Sequence, residues 1–371
     1  MNKQRSAGIT LLGIFLVIGA QGQSNQKMDF ESYDPPSTLV VPEHKLSRAK
    51  FPFIDVHSHQ ADMTTPQSLE ALLAEMEKLN MAVMVNLSGR GFRRSSDHLE
   101  KSLENIKKHQ PKRFVLFTNV DFAAIDEPEW QGRMLKQLEE DVKKGAQGLK
   151  IYKSLGMSNR DKSGNRIRID DPRIDPIWAK CGELGIPVII HAADPKSFWS
   201  PVDSTNERWL ELKTHAGRQR SNTDPAPWEQ IIQEQHNMFK KHPKTKFINA
   251  HMGWYPNDLE KLGKLLNEMP NMYVEIGAVI AELGRQPRTA RNFMIKYQDR
   301  VMFGKDAWQP DEYATYFRVL ETADEYFPYH KRYHAFWRMY GLELPDDVLK
   351  KIYYKNALKV IPGIDASQFP K

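Results

Sequence analysis

A chain of 371 residues is too long for one small module. At roughly 100–200 residues per domain it suggests about two domains or one large α/β barrel. Its 40% hydrophobic and 27% charged residues exclude wholesale disorder, and its single cysteine excludes a disulfide framework and any cysteine-based zinc or iron–sulfur cluster. The 53 Lys+Arg against 47 Asp+Glu give a net charge of +6. The basic residues are scattered among acidic ones, so no nucleic-acid partner is expected.

The N-terminus reads as a leader rather than as part of the fold. Lys3 and Arg5 precede an apolar run over 9–20, and Ala20 and Gly22 supply small residues at the positions a signal peptidase reads. This order predicts a signal peptide over 1–22 and an exported, periplasmic or secreted protein. The run falls short of the ~20 residues of a membrane span. No cysteine follows it to carry a lipid, so no stable membrane anchor is expected after cleavage; a retained signal anchor is the alternative. Residues 23–50, with Pro35, Pro36 and Pro42, read as an extended arm. The lone Cys181 lies in a helical pattern and is expected to pack as a small apolar residue.

From there β-rich runs and helical patterns alternate. The runs are 53–59, 81–88, 113–121, 147–153, 187–191, 246–251, 272–277 and 301–306. The helical patterns between them are 65–79, 96–109, 129–144, 175–184, 229–242, 256–268 and 288–297, with a closing helix over 346–360. Such alternation implies parallel strands joined by crossover helices. Eight units favour an α/β (β/α)8 TIM barrel over 51–361, followed by a tail over 362–371. The longest insertion, about 195–228, lies between strands five and six and holds Trp199, Trp209 and Trp228. These tryptophans either cap a pocket as a lid or pack the insertion.

Strand alternation then sorts the faces. With the apolar set turned to the helices, the interior receives Asp55, His57 and His59 from the first strand and Asn86 and Ser88 from the second. Lys150 and Tyr152 come from the fourth, His191 from the fifth, Asn249 and His251 from the sixth, Tyr273 and Glu275 from the seventh, and Asp306 from the eighth. Burying such groups unpaired costs several kcal/mol each. They also sit at the ends of their strands, on the barrel face where active sites are built. A divalent metal explains the convergence of His57, His59, His191, His251 and Asp306; zinc is the leading expectation, and iron, manganese or nickel also suit these donors. Each residue alone has a plainer reading: a satisfied histidine, or Asp306 as a helix cap.

The segments Phe53-Ile54-Asp55-Val56-His57-Ser58-His59, Pro187-Val188-Ile189-Ile190-His191, Phe247-Ile248-Asn249-Ala250-His251-Met252-Gly253 and Val301-Met302-Phe303-Gly304-Lys305-Asp306 resemble the amidohydrolase superfamily. More narrowly they resemble its amidohydrolase-related branch, which also holds enzymes of the aminocarboxymuconate semialdehyde decarboxylase type. The similarity runs from about 51 to 361 and includes Ile352-Tyr353-Tyr354-Lys355-Asn356-Ala357, while Gly148 to Lys153 and Asp170 to Arg173 resemble an exported bacterial subgroup of unassigned activity.

The resemblance implies that His57, His59 and His191 are metal ligands. It implies that Asp306 completes the site and takes a proton from the water held there, and that His251 lies beside the metal as an acid/base or electrophile. Chemistry agrees, since a metal lowers the pKa of bound water from 15.7 to about 7 and neighbouring groups can move its protons. In binuclear members of the superfamily a carboxylated lysine bridges two metals, and Lys150 has the matching strand and face; a plain structural or substrate-binding lysine is preferred. Glu275 is expected to pair with Lys150. Arg90, Arg93 and Arg94 near the mouth are either a carboxylate clamp or a solvated loop.

The expected function is a metal-dependent hydrolase cleaving an amide or ester-like bond of a small molecule. A non-oxidative decarboxylase is the alternative, and a non-catalytic binding barrel a third reading. Lys150, Tyr152, Glu275, Arg90 and Asn249 are the candidate substrate contacts. The sequence is compatible with a homo-oligomer.

Overall fold

A computed structural model describes residues 29–91, 97–334 and 336–370. The leader expected over 1–22, and Arg93 and Arg94, lie outside the described residues.

The strands are β1 (Phe53–Ser58), β2 (Met81–Asn86), β3 (Phe114–Leu116), β4 (Thr118–Asn119), β5 (Leu149–Ile151), β6 (Val188–Ile190), β7 (Phe247–Asn249), β8 (Met272–Glu275) and β9 (Val301–Met302). They form two parallel sheets, β1-β2-β3 and β4 through β9 in chain order. β3 and β4 are one stave interrupted at Phe117, which donates to Asn86 O (3.0 Å) and accepts from Gly89 N (3.1 Å). The buried Phe117 ring lies against Gly148, where any Cβ would collide with it. At the other edge Val56 N donates to Phe303 O (3.0 Å), Asp306 N donates to His57 O (2.7 Å), and Ser58 bridges to Asp306 in parallel. Eight staves thus follow one another around the ring, the (β/α)8 arrangement of a TIM barrel.

The helices are α1 (Pro66–Leu79), α2 (His98–His109), α3 (Trp130–Lys144), α4 (Asp175–Leu184), α5 (Trp209–Thr214), α6 (Trp228–Lys241), α7 (Leu259–Glu268), α8 (Ile280–Gly284), α9 (Pro287–Lys296), α10 (Tyr313–Glu321), α11 (Asp346–Lys350) and α12 (Asn356–Val360). α1 shows how sequence sets such an element. Thr65 caps it by accepting from Ser68 N (3.2 Å), Pro66 opens its first turn, and Asn80 ends it in the left-handed region at φ 67°. Leu69, Leu72, Met76 and Leu79 form its buried stripe, each worth about 1.5–3 kcal/mol of apolar burial. The closing helix is continuous from α11 to α12 through one π turn, Lys351–Lys355. The sequence pattern assigns no element to 307–345. There the chain forms α10 and a hairpin of β10 (Phe327–Pro328) and β11 (Arg338–Met339).

Residues 29–35 hold a single 3-10 turn, Phe30–Ser32, capped by Asp29. The chain divides at Pro35–Pro36, and the arm beyond it belongs with the barrel: His44 N donates to Asp324 (2.7 Å) and Ala49 N to Leu79 O (3.1 Å).

Two face assignments are corrected. Asp55 does not share the interior with His57. Phe53 packs on Phe317, and Asp55 accepts from Tyr313 OH (2.6 Å), so both turn to α10. The register shifts between Asp55 and Ser58, and this irregularity returns His57 to the interior. In β7 the alternation runs opposite to expectation. Ile248 stands level with Lys150, Ile189 and Tyr273 around the ring. Phe247 stacks on Phe239 of α6, centroids 4.5 Å apart, and Asn249 accepts from Gln235 of α6 (3.0 Å). Asn249 therefore faces the helix layer and is not a cavity residue. An all-buried strand of mixed polarity carries no outward signal, which is why alternation alone misassigned it.

Candidate metal centre

The strand ends converge on a small cluster. Nε2 of His57, Nε2 of His59 and Oδ1 of Asp306 come together: the carboxylate lies 3.4 Å from the first imidazole and 3.7 Å from the second, and one atom from each residue fits within 4.8 Å of the others. His57 is fully buried, while Asp306 keeps 34% of its side chain exposed. Asp306 reaches the cluster from a left-handed backbone, φ 80°, uncommon for a residue with a Cβ. Strain of this kind collects at functional sites.

Hydrogen bonds set which nitrogen of each ring is available. Glu275 Oε1 takes the Nδ1 proton of His57 (3.0 Å), which leaves Nε2 with its lone pair. The same carboxylate accepts from His251 N (2.6 Å) and Gly277 N (2.5 Å). This is a carboxylate holding a ligand histidine from behind. It corrects the expected pairing of Glu275 with Lys150 and its role as a substrate contact. Gly304 makes room for it, because a Cβ there would collide with the Glu275 carboxylate and lie 3.0 Å from His57 Cβ. His59 Nδ1 is paired with Ser88 Oγ (2.8 Å), which is also 2.9 Å from Tyr152 OH. Tyr152 stacks beside His59, centroids 5.7 Å apart.

His251 arrives by an unexpected route. β7 ends at Asn249, and His251, Met252, Gly253 and Trp254 all take left-handed backbone, φ between 53° and 61°. His251 Nδ1 can only donate to the Gly277 carbonyl (2.8 Å); in the neutral ring its Nε2 then accepts, and the donor is His191 Nδ1 at 3.2 Å. That chain leaves His191 Nε2 deprotonated, buried and without a partner. His191 is not among the atoms that already converge within 4.8 Å. It stands next to the cluster, in the tautomer a ligand needs.

Electrostatics matches this arrangement. Burial, reinforced by Lys150, pushes His57 well below its usual value and His59 down to about 4. Burial and His251 do the same to His191. All three are neutral imidazoles, the form that binds metal. Burial would raise Asp306, but His57, His251, His59 and Lys150 outweigh it and hold the carboxyl below its usual range. Lys150 is buried with Nζ 3.3 Å from His57 Nε2, and burial brings it down to about 8 against the pull of Asp306 and Glu275. A divalent ion fits this donor set of neutral imidazoles and a carboxylate, with an orphaned nitrogen beside it. A second group of donors, His57, His251 and Glu275, also converges, but there the Nδ1 side of His57 is already hydrogen-bonded to Glu275.

The model of the family described as Amidohydrolase matches residues 54–363. The chain belongs to the amidohydrolase family. No curated protein matches it. Among solved structures it is similar to a dihydroxybenzoic acid decarboxylase from Polaromonas sp. JS666 with bound manganese and the inhibitor 2-nitroresorcinol: 16% identity, TM-score 0.55, covering 86% of this chain and 99% of that one. It is similar to 2,6-dihydroxybenzoate decarboxylase from Rhizobium at 15% identity and TM-score 0.51, covering 84% and 98%. It is also similar to 4-oxalomesaconate hydratase from Rhodopseudomonas palustris at 16% identity and TM-score 0.51, covering 85% and 97%. At these identities the likeness shows the fold.

A cavity of about 270 Å3 in this amidohydrolase is lined by His191, His251 and Asp306. Arg90 does not reach it as a clamp. Its guanidinium holds Asp141 of α3 through Nε (3.0 Å) and Nη2 (2.5 Å), so the expected carboxylate fork is already occupied. Trp199, Trp209 and Trp228 do not line the cavity. Trp228 is buried and donates to Asp194 O (2.9 Å), and Trp199 donates to Ala226 O (2.8 Å), which ties the insertion together. The insertion instead brings Phe198, Arg208, Glu211 and Arg218 to the cavity. A second segment of the lining, between Tyr329 and His334, carries no assignment in the sequence analysis. Its signal was the dense run Tyr329-His330-Lys331-Arg332-Tyr333-His334.

Proposed function

We propose that the protein is a metal-dependent hydrolase that opens an amide or ester-like bond of a small molecule. The reading is carried by the convergence of His57 Nε2, His59 Nε2 and Asp306 Oδ1 beside a cavity that His191 and His251 also line. His57, His59, His191 and Asp306 would hold a divalent ion there, zinc in our reading, which would supply Lewis acidity and make water more acidic at neutral pH. The chain's own groups do the remaining work. Asp306, kept ionised by its neighbours, accepts a proton at its carboxylate. His251 fixes the His191 ring, and Glu275 fixes that of His57. Trp254 stacks on His251, centroids 4.6 Å apart, and lines the same cavity. We favour one ion, because the only other convergent donor group among the described residues shares His57.

A second reading is a non-oxidative decarboxylase using the same site. The surplus of cations around the cavity favours it, since these suit a carboxylate, and two of the structures sharing this fold are decarboxylases. We also read the chain as exported, on the composition of residues 1–22. Among the described residues no helix is long and apolar enough to cross a membrane.

Elemental analysis tests the metal reading on protein purified without chelators. About one equivalent, lost in a His57→Ala/His59→Ala variant, is expected; no metal after reconstitution would refute it. Turnover in 18O-labelled water then separates the reactions: a hydrolase puts the label into its product, and a decarboxylase releases CO2 without consuming water. Asp306→Ala is expected to abolish turnover in a folded barrel, and a fully active variant would end the mechanism.

A further inference from the structure

Three carboxylates in or beside the cavity roof each hold two cations. Asp194 accepts from Lys153 (2.6 Å) and Arg220 (2.9 Å). Glu211 accepts from Arg208 and Arg218, each at 2.6 Å. Glu312 accepts from Lys305 (2.5 Å) and Lys331 (2.6 Å). Arg208 also reaches Glu282. With Asp306, which lines the same cavity, six cations therefore face five carboxylates, a surplus of one positive charge. The two histidines in the same wall neither add to the surplus nor cancel it, because burial holds His330 at about 4 and His334 well below its usual value.

The cations differ in how they are spent. Arg208 keeps only 8% of its side chain exposed and Lys305 only 3%, so both are structural partners of their carboxylates. Arg218 keeps 40% and Lys331 29%, and both line the cavity. They come from different segments, Arg218 from the long insertion and Lys331 from the loop before β11, and their ion pairs run to Glu211 and Glu312 rather than to the histidine cluster. Arg218 also lies under the Tyr333 ring, 5.6 Å from its centroid, which ties the two segments together.

We propose that the cavity takes a small substrate carrying a carboxylate away from the reacting bond, and that Arg218 and Lys331 bind that carboxylate between the two segments. A guanidinium fork and an ammonium suit such a group, and a pocket of this size suits a compact molecule. The inference rests on the cavity being the substrate site, and it names the substrate class for that site whichever reaction follows.

Calorimetric titration of the full chain tests it with two probes of nearly equal size, glutaramate and its diamide, glutaramide. Only glutaramate carries a carboxylate. Glutaramate is expected to bind at least about tenfold more tightly, the scale of a charge-assisted hydrogen bond, with an advantage that shrinks as salt rises. An Arg218→Gln/Lys331→Gln variant should bring the advantage below threefold, whereas Arg288→Gln, on the exposed face of α9, should keep it. Equal binding of the two probes, no binding of either, or a tenfold advantage surviving the double substitution would each overturn the proposal. The unmutated comparison decides if the double variant does not fold. Running it on metal-free and zinc-loaded protein separates this inference from the metal reading: absence of metal binding would leave the glutaramate advantage intact in the metal-free arm.

Discussion

Glu275→Gln removes one acceptor from beneath the metal site without changing its volume. The wild-type carboxylate is fully buried and accepts from His57 Nδ1, His251 N and Gly277 N. A glutamine that keeps its oxygen towards His57 and His251 turns its amide N–H against the Gly277 N–H. One buried bond is lost and one donor left unsatisfied, at about 1–3 kcal/mol. At roughly 2–4 °C per kcal/mol for a large domain, the metal-free protein should melt about 2–12 °C lower. The His57 ring loses its charged backing as well, and loss of such a partner typically costs about 10–100-fold in metal affinity. Competition with a chromophoric chelator reads the affinity, and calorimetric melting of stripped protein reads the stability. An affinity within about threefold of wild type would refute the view that Glu275 organises the site, even if the melting point fell.

Lys150→Met should leave metal content at one equivalent while reducing turnover; a drop from two equivalents to one, by elemental analysis, would make Lys150 a carboxylated bridging ligand. Arg90→Ala should lower stability by about 2 kcal/mol, less than for a fully buried pair because Arg90 is partly exposed and Asp141 keeps its bond from Thr118. The same variant should shift KM equally for acidic and neutral substrates, and a selective rise for acidic ones would restore the clamp. Burial raises Asp55 to about 7, opposed by its bond from Tyr313. A carboxyl whose folded value lies above its unfolded 3.8 costs stability as pH rises from about 4 to 7, by at most about 1.4 kcal/mol per unit. Asp55→Asn, with Tyr313 OH turned to accept, should flatten that decline in chemical denaturation at pH 5 and pH 7.5, and an unchanged slope would show that Asp55 does not carry it.

The barrel was legible because its signals are local. Thr65, Pro66 and Asn80 punctuate α1, and the repeated alternation of short β-rich runs with helical stripes needs no long-range information. The ligand candidates were legible for the same reason: polar residues at the ends of apolar strands stand out by contrast. The tertiary structure alone decided which way those residues point. Alternation counts residues, but the register shift after Asp55 and the left-handed turn at His251 depend on partners distant in the chain, including Glu275 and Gly277. Arg90 looked free for a ligand until α3 brought Asp141 to it. Arg218 and Lys331 lie over a hundred positions apart, and only folding turns their two loops towards one cavity. Sequence thus determined which chemistry could gather at the strand ends. Packing, which must satisfy every buried donor and acceptor, decided which groups are committed to one another and which remain for a metal and a substrate.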